Sequence, residues 1–391
     1  MKVLITGLTL HNNKGGAALA LSLIDKLKKE FDEVLFYLSV PNNGKNLELE
    51  KKWADFYGVE DVVGAVGVKE LLYIKRERRE TFLIFLKEVD LIIDLNALSY
   101  MDLPSLTYKQ NLIRNLSIYT IRGLSNQLNK PLIRWTQSYG PFSSYFTKLI
   151  VKQDLKNQKN IFVRGEGSLS NLQQICKDKN IVSFPDIAIT LNGDKSYYTK
   201  YLNDKNYVTL SPSSVIYGID GELHIQQFRE LLAYILEKGY EVVFVPHTLM
   251  SINPTLYNCD LKVCEKILET VKSENVHLVK KDLDVYNLKG IIAHASLHIG
   301  ARYHSIIASL STSVPTVAFS WHEKYMDIMK MYQMEKYIYD GKSDISQLCD
   351  YVNELLNNRN KTIKTLKLQQ NVLELEVEKN IVLFMESFNE L

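Results

Sequence analysis

The sequence predicts an α/β protein of two Rossmann-like, doubly wound domains that face a cleft, followed by a C-terminal helical tail. Short apolar runs alternate with helix-length periodic stretches along most of the 391 residues, which is typical of parallel sheets with right-handed helical crossovers. Runs such as 242–245 are apolar on both faces, as a sheet covered on both sides requires. A polar stretch over 192–206 separates two such series and indicates a domain boundary.

In the first half of the chain, the run 2–6 predicts a first strand and the segment 17–31 predicts an amphipathic helix. Ala20, Leu23 and Leu27 recur there at helical spacing, so they share one face. The remaining strands of this half are predicted at 34–39, 91–95, 131–136, 160–163 and 181–184.

A charged helix is predicted over 69–88. Its basic cluster would either contact an anionic membrane surface or form part of a solvated helix face. Glutamates alternate with the basic residues, which favours the solvated face. The cluster consists of Lys75, Arg76, Arg78 and Arg79.

The second half repeats the alternation and ends in a helical tail. Its strands are predicted at 207–210, 241–245, 276–279, 297–299 and 315–319, and its helices near 222–238, 259–272, 282–292 and 302–311. From Ser343 onward the pattern is helical, with a break at 357–360. We therefore expect domains at 1–192 and 206–342, with a tail over 343–391 that packs back on the body.

Composition excludes several classes of protein. Lys and Arg number 47 and Asp and Glu 45, so the chain has no broad basic surface of the kind nucleic-acid-binding proteins carry. Four scattered cysteines without a Cys-x-x-Cys pair predict reduced thiols. The sequence shows no signal peptide and no apolar run of the roughly eighteen residues that a membrane span needs. We expect a cytoplasmic protein, or one peripheral at the inner face of the membrane.

Candidate site residues follow from the rule that ligands bind at the carboxyl ends of parallel strands. One predicted strand ends at Gly300, and a helix begins near Ala301. Backbone N–H groups and the helix dipole make such a start an anion site, to which Arg302 and His304 would add donors. The alternative is that Arg302 pairs with a structural carboxylate and that His304 packs locally.

Two further loops carry cations at strand ends. Arg164 would offer a planar fork to a carboxylate or phosphate, or else form an ion pair with Glu166 or across domains. Lys324 would neutralise an anion and Trp321 would stack on a sugar ring, or else the lysine is solvated and the tryptophan lies in the core. His247 and Asp94 lie at the ends of other strands.

The loop after the first strand, with Asn13 and Gly15, is a candidate ligand loop. It lacks both the Gly-x-Gly-x-x-Gly motif and the Lys-Ser/Thr of a P-loop, so neither dinucleotide nor ATP binding is indicated. Neither a Gly-x-Ser-x-Gly elbow nor a His-Glu-x-x-His helix is present, which leaves hydrolase chemistry unsupported. We expect no metal and no cofactor.

Taken in order, these pieces resemble the polysaccharide pyruvyl transferase family over about residues 1–335. The matching elements are Asn13 with Gly15, Gly140-Pro141, Arg164 with Ser168, 184–188, 299–306, Val314-Pro315 and Lys324. The resemblance implies a GT-B-like fold and a reaction that transfers an enolpyruvyl unit from phosphoenolpyruvate to a sugar, giving a pyruvate ketal. The acceptor would be a saccharide or a lipid-linked oligosaccharide.

On this interpretation, the first domain binds the acceptor and the second binds phosphoenolpyruvate. The candidate acid/base is His304, whose alternative role is phosphate binding alone. The candidate donor-binding residues are Arg164, Gly300, Ala301, Arg302, Tyr303 and Lys324. The candidate acceptor-binding residues are Asn13, Gly15, Asp94, His247 and Trp321.

Two other functions stay open at this point. A GT-B glycosyltransferase that uses a nucleotide sugar would share the architecture and would also place cations against phosphates. A non-catalytic relative that binds carbohydrate or anions would keep the fold without turnover.

Overall fold

The computed structural model describes residues 1–41, 45–65, 76–103, 106–194, 206–320, 322 and 324–389. The chain divides into two compact α/β units. The first unit comprises Met1–His11, Leu19–Ile187 and Glu376–Leu391, and the second comprises Asn12–Ala18 and Ala188–Leu375. Each unit contains its own parallel sheet, as the alternation of strands and helices predicts.

The strands of the first unit are β1 (Lys2–Thr6), β2 (Leu35–Pro41), β3 (Asp61–Ala65), β4 (Leu91–Asp94), β5 (Leu98–Ser99), β6 (Leu132–Arg134), β7 (Ser138–Tyr139), β8 (Asn160–Arg164) and β9 (Asn180–Phe184). Five of them form a parallel sheet in the order β3-β2-β1-β4-β6. Strands β5 and β7 form one parallel pair, and β8 and β9 another. The main sheet changes winding direction between β1 and β4.

Helices cover this sheet because their apolar faces need burial. They are α1 (Lys14–Glu30), α2 (Lys45–Tyr57), α3 (Arg76–Glu88), α4 (Tyr108–Gln127), α5 (Tyr145–Leu155) and α6 (Glu166–Gln173). Helix α4 begins with a capping box, in which the Thr107 side chain accepts from the Gln110 backbone and the Gln110 side chain accepts from the Thr107 backbone. The charged helix predicted over 69–88 is observed as α3 from Arg76 onward, and its residues 69–75 lie outside the described part of the chain.

The second unit has a six-stranded sheet that is parallel throughout. Its strands are β10 (Tyr207–Ser211), β11 (Glu241–Phe244), β12 (Val276–Leu278), β13 (Leu297–Gly300), β14 (Thr316–Phe319) and β15 (Ile338–Tyr339). The order is β12-β11-β10-β13-β14-β15, so the winding direction changes between β10 and β13. Its helices are α7 (Ser214–Asp220), α8 (Glu222–Glu237), α9 (Asp260–Leu268), α10 (Val285–Ala293), α11 (Tyr303–Ser311), α12 (Lys324–Met331) and α13 (Ile345–Asn357).

The C-terminal tail forms α13 and a long helix, α14 (Arg359–Asn389), with the break that the sequence predicts. The last part of α14 belongs to the first unit, where Phe384 stacks on Trp135 at 4.4 Å between ring centroids. None of the described helices combines the length and the apolarity that crossing a membrane requires.

The two units differ from the domain boundaries expected from the sequence. The segment Asn12–Ala18 belongs to the second unit because Asn13 bridges Thr248 and the Lys14 N–H donates to the His247 carbonyl. The polar stretch over 192–206 lies largely outside the described residues, and the long middle segment of the first unit ends earlier, at Ile187.

The predicted strands are confirmed within one or two residues, whereas four observed strands were not expected. Strands β5, β7 and β15 have two residues each, too few to show an alternating pattern. Strand β3 contains Gly64, a residue that weakens a strand pattern.

Gly300 lets α11 follow strand β13 at close range. A Cβ atom at this position would lie 2.5 Å from His298 Nε2, 2.6 Å from Ser305 Oγ and 2.9 Å from Ile306 Cγ1. His298 is fully buried and joins the strand to the helix, since its ring nitrogens contact Thr209 Oγ1 at 2.9 Å and Ser305 Oγ at 3.0 Å. The site described below therefore depends on a glycine at the end of β13.

We expect Gly300→Ala to lower the free energy of unfolding by about 1–3 kcal/mol, because the added methyl group must displace buried atoms. Gly123→Ala is the matched control: it lies in α4, nothing lies within 4 Å of the added Cβ, and we expect it to stabilise by about 0.5–1 kcal/mol. Urea unfolding followed by circular dichroism measures both. Equal effects of the two substitutions would contradict the proposed close packing.

Candidate functional site

Most of the predicted site residues lie together at the carboxyl edge of the second unit's sheet. Ala301 follows β13 directly, and its backbone N–H donates to the Ser211 carbonyl of β10 at 2.8 Å. This is the edge between β10 and β13, where the winding direction changes and the loops diverge. Such switch points are where open α/β sheets bind ligands.

Asp260 and Arg302 form the central ion pair of this edge. Arg302 Nε lies 2.8 Å from Asp260 Oδ2 and Arg302 Nη2 2.5 Å from Oδ1, a bidentate arrangement, and Nη2 also donates to Ser214 Oγ at 2.8 Å. The carboxylate further accepts from the backbone N–H groups of Ser214 and Thr248, both at 2.9 Å. Burial raises the pKa of Asp260, but Arg302 and these hydrogen bonds lower it more, so the net shift is downward.

Arg302 is the N-cap of α11 and keeps one donor for a ligand. Its Nε and Nη2 are committed to Asp260 and Ser214, whereas Nη1 makes no hydrogen bond to any described residue. The side chain is 18% exposed. A guanidinium fixed on one edge and available on the other can present an N–H group to a carboxylate or phosphate.

The N-terminus of α1 lies against the N-terminus of α11. Gly15, in the first turn of α1, lies so close to the His304 ring that a Cβ atom there would be 2.2 Å from its Nδ1. The Gly15 N–H donates to Asn13 Oδ1 at 3.0 Å, which fixes the start of the helix. Two helix N-termini, each carrying partial positive charge, thus flank one half-buried imidazole.

Two buried lysines and a second histidine line a small cavity beside His304. Lys14 pairs with Asp282 at 2.5 Å, and Lys289 Nζ donates to the Ala188 carbonyl at 3.5 Å. The cavity has a volume of about 20 Å³, room for roughly one water molecule. The cavity is therefore too small to hold a metabolite.

His247 is held as a neutral imidazole at the end of β11. Its Nδ1 lies 3.2 Å from the Val245 carbonyl, to which it donates, and Nε2 makes no hydrogen bond to any described residue. Burial lowers the pKa of His247 to about 4. Its Nε2 is therefore an acceptor at neutral pH, suited to a hydroxyl rather than to an anion.

Lys324 reaches the same helix start from the loop after β14. Its Nζ lies 5.3 Å from the centroid of the Tyr303 ring and 5.6 Å from that of Tyr325, both cation–π positions. Tyr325 is buried and donates to the Ala301 carbonyl at 3.0 Å. Trp321, predicted to stack on a sugar, lies outside the described residues.

The charges of this edge are predominantly positive. Among the described residues of this edge, the side-chain cations Lys14, Lys289, Arg302 and Lys324 lie with the carboxylates Asp260 and Asp282, and Asp327 lies in the first turn of α12, which Lys324 begins. The two helix N-termini add further positive potential. The balance favours a small ligand with more than one negative charge.

Arg164, the third predicted cation of the donor site, lies in the first unit within a dense set of contacts. Its guanidinium pairs with Asp186 and donates to Ser138 Oγ at 3.1 Å and to the Ala97 carbonyl at 2.7 Å. Only 4% of the side chain is exposed. These contacts join β8 to β7, to the loop between β4 and β5 and to the loop after β9. A role for Arg164 in donor binding stays a prediction.

Asp94 lies at the floor of a separate pocket of the first unit, at the switch point between β1 and β4. Burial raises the pKa of Asp94, although its ion pair with Arg134 opposes the shift. The pocket has a volume of about 310 Å³, enough for a sugar ring. Its polar lining includes Thr6, Ser39, Asp94, Asn96, Arg114 and Ser117.

Sequence reasoning missed the partners that hold these sites in place. Asp260 follows no motif, and Ser39 is one hydroxyl in an apolar strand. Arg134 and Lys289 had a detectable signal, because each is a charge inside an otherwise apolar strand or helix that the sequence predicts to be buried. Among the described residues, no group of three or more His, Cys, Asp or Glu is arranged to hold a metal ion.

The two parallel α/β units place the chain in the GT-B-like class of proteins, and solved structures agree. UDP-GlcNAc 2-epimerases from Methanocaldococcus jannaschii and Neisseria meningitidis are similar, with TM-scores of 0.59 and 0.58 and 12% and 13% identity. The matches cover 91% and 97% of this chain and 93% and 100% of those chains. A UGT transferase from Siraitia grosvenorii in complex with UDP is also similar, with a TM-score of 0.55 and 12% identity. This match covers 95% of this chain and 94% of that one.

The family is established by sequence. The family model for polysaccharide pyruvyl transferase matches residues 13–323, most of the chain, and the protein belongs to that family. No curated protein matches the chain. The matched region ends one residue before Lys324.

Buried histidines at this edge predict a dependence of stability on pH. Burial lowers the pKa of His224 to about 3 and that of His247 to about 4. Both are neutral in the folded state at pH 5, whereas in the unfolded chain they are largely protonated. The unfolded state then binds more protons, so the free energy of unfolding falls as pH decreases from about 6.5 to 4, by up to about 1.4 kcal/mol per pH unit for each histidine.

Urea unfolding at pH 7 and pH 5 measures this difference. We expect His224→Gln to show a smaller loss between the two pH values than the wild type, since every other titrating group is common to both proteins. The Gln amide oxygen takes the place of the imidazole Nε2, which accepts from the Ser213 N–H at 3.3 Å in the wild type. If the free energy of unfolding falls equally in both proteins between pH 7 and pH 5, His224 does not cause the pH dependence.

Proposed function

We propose that the protein transfers an enolpyruvyl-derived group from phosphoenolpyruvate to a saccharide, forming a pyruvate ketal. The observation that supports it most is the cluster of Arg302, His304 and Lys324 around the N-terminus of α11, in a chain of the polysaccharide pyruvyl transferase family. Phosphoenolpyruvate carries a carboxylate and a phosphate on one small carbon frame. A surface with excess positive charge and two helix N-termini suits such a ligand.

In this proposal, Arg302 Nη1 and Lys324 bind the anionic groups while Asp260 fixes the orientation of Arg302. A charge-assisted hydrogen bond contributes roughly 1.5–3 kcal/mol, so a few of them offset part of the cost of removing the donor from water. The backbone N–H groups at the start of α11, after Gly300 and Ala301, add donors that need no side-chain ordering.

The chemistry requires one proton to move to carbon. Protonation of the methylene carbon makes C2 electrophilic, a first sugar hydroxyl adds, and the C2–O bond to phosphate breaks. The second hydroxyl then closes the ketal. Of the two protons that the sugar hydroxyls lose, one balances the proton gained by the new methyl group and the other is taken up by the departing phosphate. His304 is the proposed acid/base because an imidazole exchanges protons near neutral pH.

The acceptor is proposed to bind in the pocket of the first unit. Asp94 can accept a hydrogen bond from a sugar hydroxyl, and its raised pKa makes it a stronger base than an exposed carboxylate. Ser39 is 3% exposed, and its hydroxyl has no hydrogen-bond partner among the described residues although it lines the pocket. A hydroxyl ligand would satisfy it.

We expect phosphoenolpyruvate to raise the melting temperature of the wild type and UDP to leave it unchanged, since ligand binding to the folded state alone stabilises that state. Arg302→Lys keeps a positive charge opposite Asp260 but loses the bidentate fork, so its shift should be smaller. Arg229→Lys is the matched control, because Arg229 donates to the carbonyls of Lys266 and Ile267 at the other end of α9. Stabilisation by UDP alone would instead favour a nucleotide-sugar glycosyltransferase.

His304→Gln separates binding from turnover in the same design. With a pyruvylatable glycan as acceptor, we expect phosphate release to fall by about 10²–10⁴-fold, the usual contribution of general acid–base catalysis. The phosphoenolpyruvate-induced shift should be largely kept. Loss of the shift with an unaltered fold would mean that His304 binds phosphate only, and near-wild-type turnover would contradict its role altogether.

Ser39→Ala tests the acceptor pocket. Removing a buried hydroxyl that lacks a partner should not lower the free energy of unfolding, whereas it should raise KM for the glycan by about three- to tenfold through one lost hydrogen bond. Initial rates at varied glycan concentration and urea unfolding measure the two effects. An unchanged KM would show that the acceptor does not contact this part of the pocket.

A further inference from the structure

Helix α5 (Tyr145–Leu155) presents large apolar side chains to solvent. Its buried face consists of Thr147, Val151, Asp154 and Leu155. On the opposite side Tyr145 is 70% exposed, Phe146 55% and Leu149 43%, and the rings of Tyr145 and Phe146 lie 6.1 Å apart. Three adjacent apolar side chains that are exposed to solvent on one short helix indicate an interaction surface.

Hydrogen bonds fix the start of α5, so its exposed side chains belong to an ordered helix. Asp102, itself 9% exposed, accepts from the Ser144 backbone N–H at 2.7 Å, from Ser143 Oγ at 3.1 Å and from Thr147 Oγ1 at 2.8 Å. Asn115 of α4 donates to Thr147 Oγ1 at 3.0 Å. The fold thus fixes the aromatic pair in position while leaving it outside the core.

The charge around these side chains is predominantly positive, although Asp178 lies near Lys152 and Lys179 around Cys176. Residues 141–160 contain four lysines, Lys148, Lys152, Lys156 and Lys159, and a single acid, Asp154. Asp154 is 1% exposed and is paired with two buried arginines, so it contributes no negative charge to the surface. Lys179 adds another cation, since its Nζ donates to the Lys156 carbonyl at 2.6 Å.

We propose that the basic aromatic face of α5 (Tyr145, Phe146, Leu149, Lys152 and Lys156) binds an anionic lipid bilayer surface. Aromatic and aliphatic side chains beside lysines are typical of helices that lie in the membrane interface, where the rings enter the headgroup region and the lysines meet lipid phosphates. Protein–protein interfaces favour arginine and are depleted in lysine. This face therefore fits a membrane better than a protein partner.

The location of the face carries a consequence that rests on the proposed function. Helix α5 packs on α4, and Arg114 and Ser117 of α4 line the proposed acceptor pocket. A lipid-linked saccharide would then reach the pocket from the membrane to which α5 binds. Membrane binding is tested with lipid alone. Absence of transferase activity would therefore contradict the proposed function without contradicting the membrane binding of α5.

The test is co-sedimentation of the full chain with vesicles of equal parts phosphatidylglycerol and phosphatidylcholine, compared with phosphatidylcholine alone. We expect the wild type to sediment with the anionic vesicles and to be released by salt, because screening weakens the lysine contacts. The double variant Tyr145→Ser, Phe146→Ser should bind at least about tenfold more weakly, since the apolar insertion is lost. Lys152→Glu with Lys156→Glu should abolish the preference for anionic lipid.

The matched control is Ile219→Ser with Leu223→Ser, which removes two side chains of similar exposure, 62% and 48%, from another surface. We expect it to bind vesicles as the wild type does, and circular dichroism should show all variants folded. Equal weakening in the control, or no sedimentation of the wild type, would overturn the proposal. The proposal would also be overturned if the wild type self-associates and the Tyr145 and Phe146 variant does not, with vesicle binding unchanged, because the face would then be an interface between copies.

Discussion

The carboxylate of Asp260 is the point at which three loops of the second unit meet. It accepts from Ser214 after β10, from Thr248 after β11 and from Arg302 after β13. A buried carboxylate is costly unless it is paired and fully hydrogen-bonded, and here these contacts come from the edge at which the donor is proposed to bind. The same pair orients the guanidinium that the proposed donor needs, so the fold and the site depend on one interaction.

The first unit uses the same physical device at its own switch point. Asp94 and Asp154 face Arg134 and Arg122 inside the unit, so two buried acids are balanced by two buried bases. Asp94 lines the pocket of this unit, whereas the other members of the network, Arg134, Asp154 and Arg122, are buried inside the unit. Both units thus place one member of a buried ion network at the carboxyl edge of a sheet.

Family membership and geometry support the proposed reaction at different levels. The family match shows what kind of protein this is, and structural neighbours at 11–13% identity show the fold alone. Phosphoenolpyruvate is supported as the donor by Arg302, His304 and Lys324, which share one helix start with an excess of positive charge. A saccharide is supported as the acceptor by a pocket lined by hydroxyl, amide and carboxylate groups, which match the hydrogen-bonding pattern of a sugar.

Local patterns were enough to predict the alternation of strands and helices, the parallel sheets, the family and the loop from Gly300 to His304, because periodicity and strand ends are local properties. Which distant residues meet at that loop follows from the three-dimensional fold. It placed Gly15 against His304, gave Arg302 the partner Asp260, and enclosed Arg164 among contacts within the first unit. These pairings depend on strand order, which brings loops far apart in sequence to one edge, and no local pattern encodes that order.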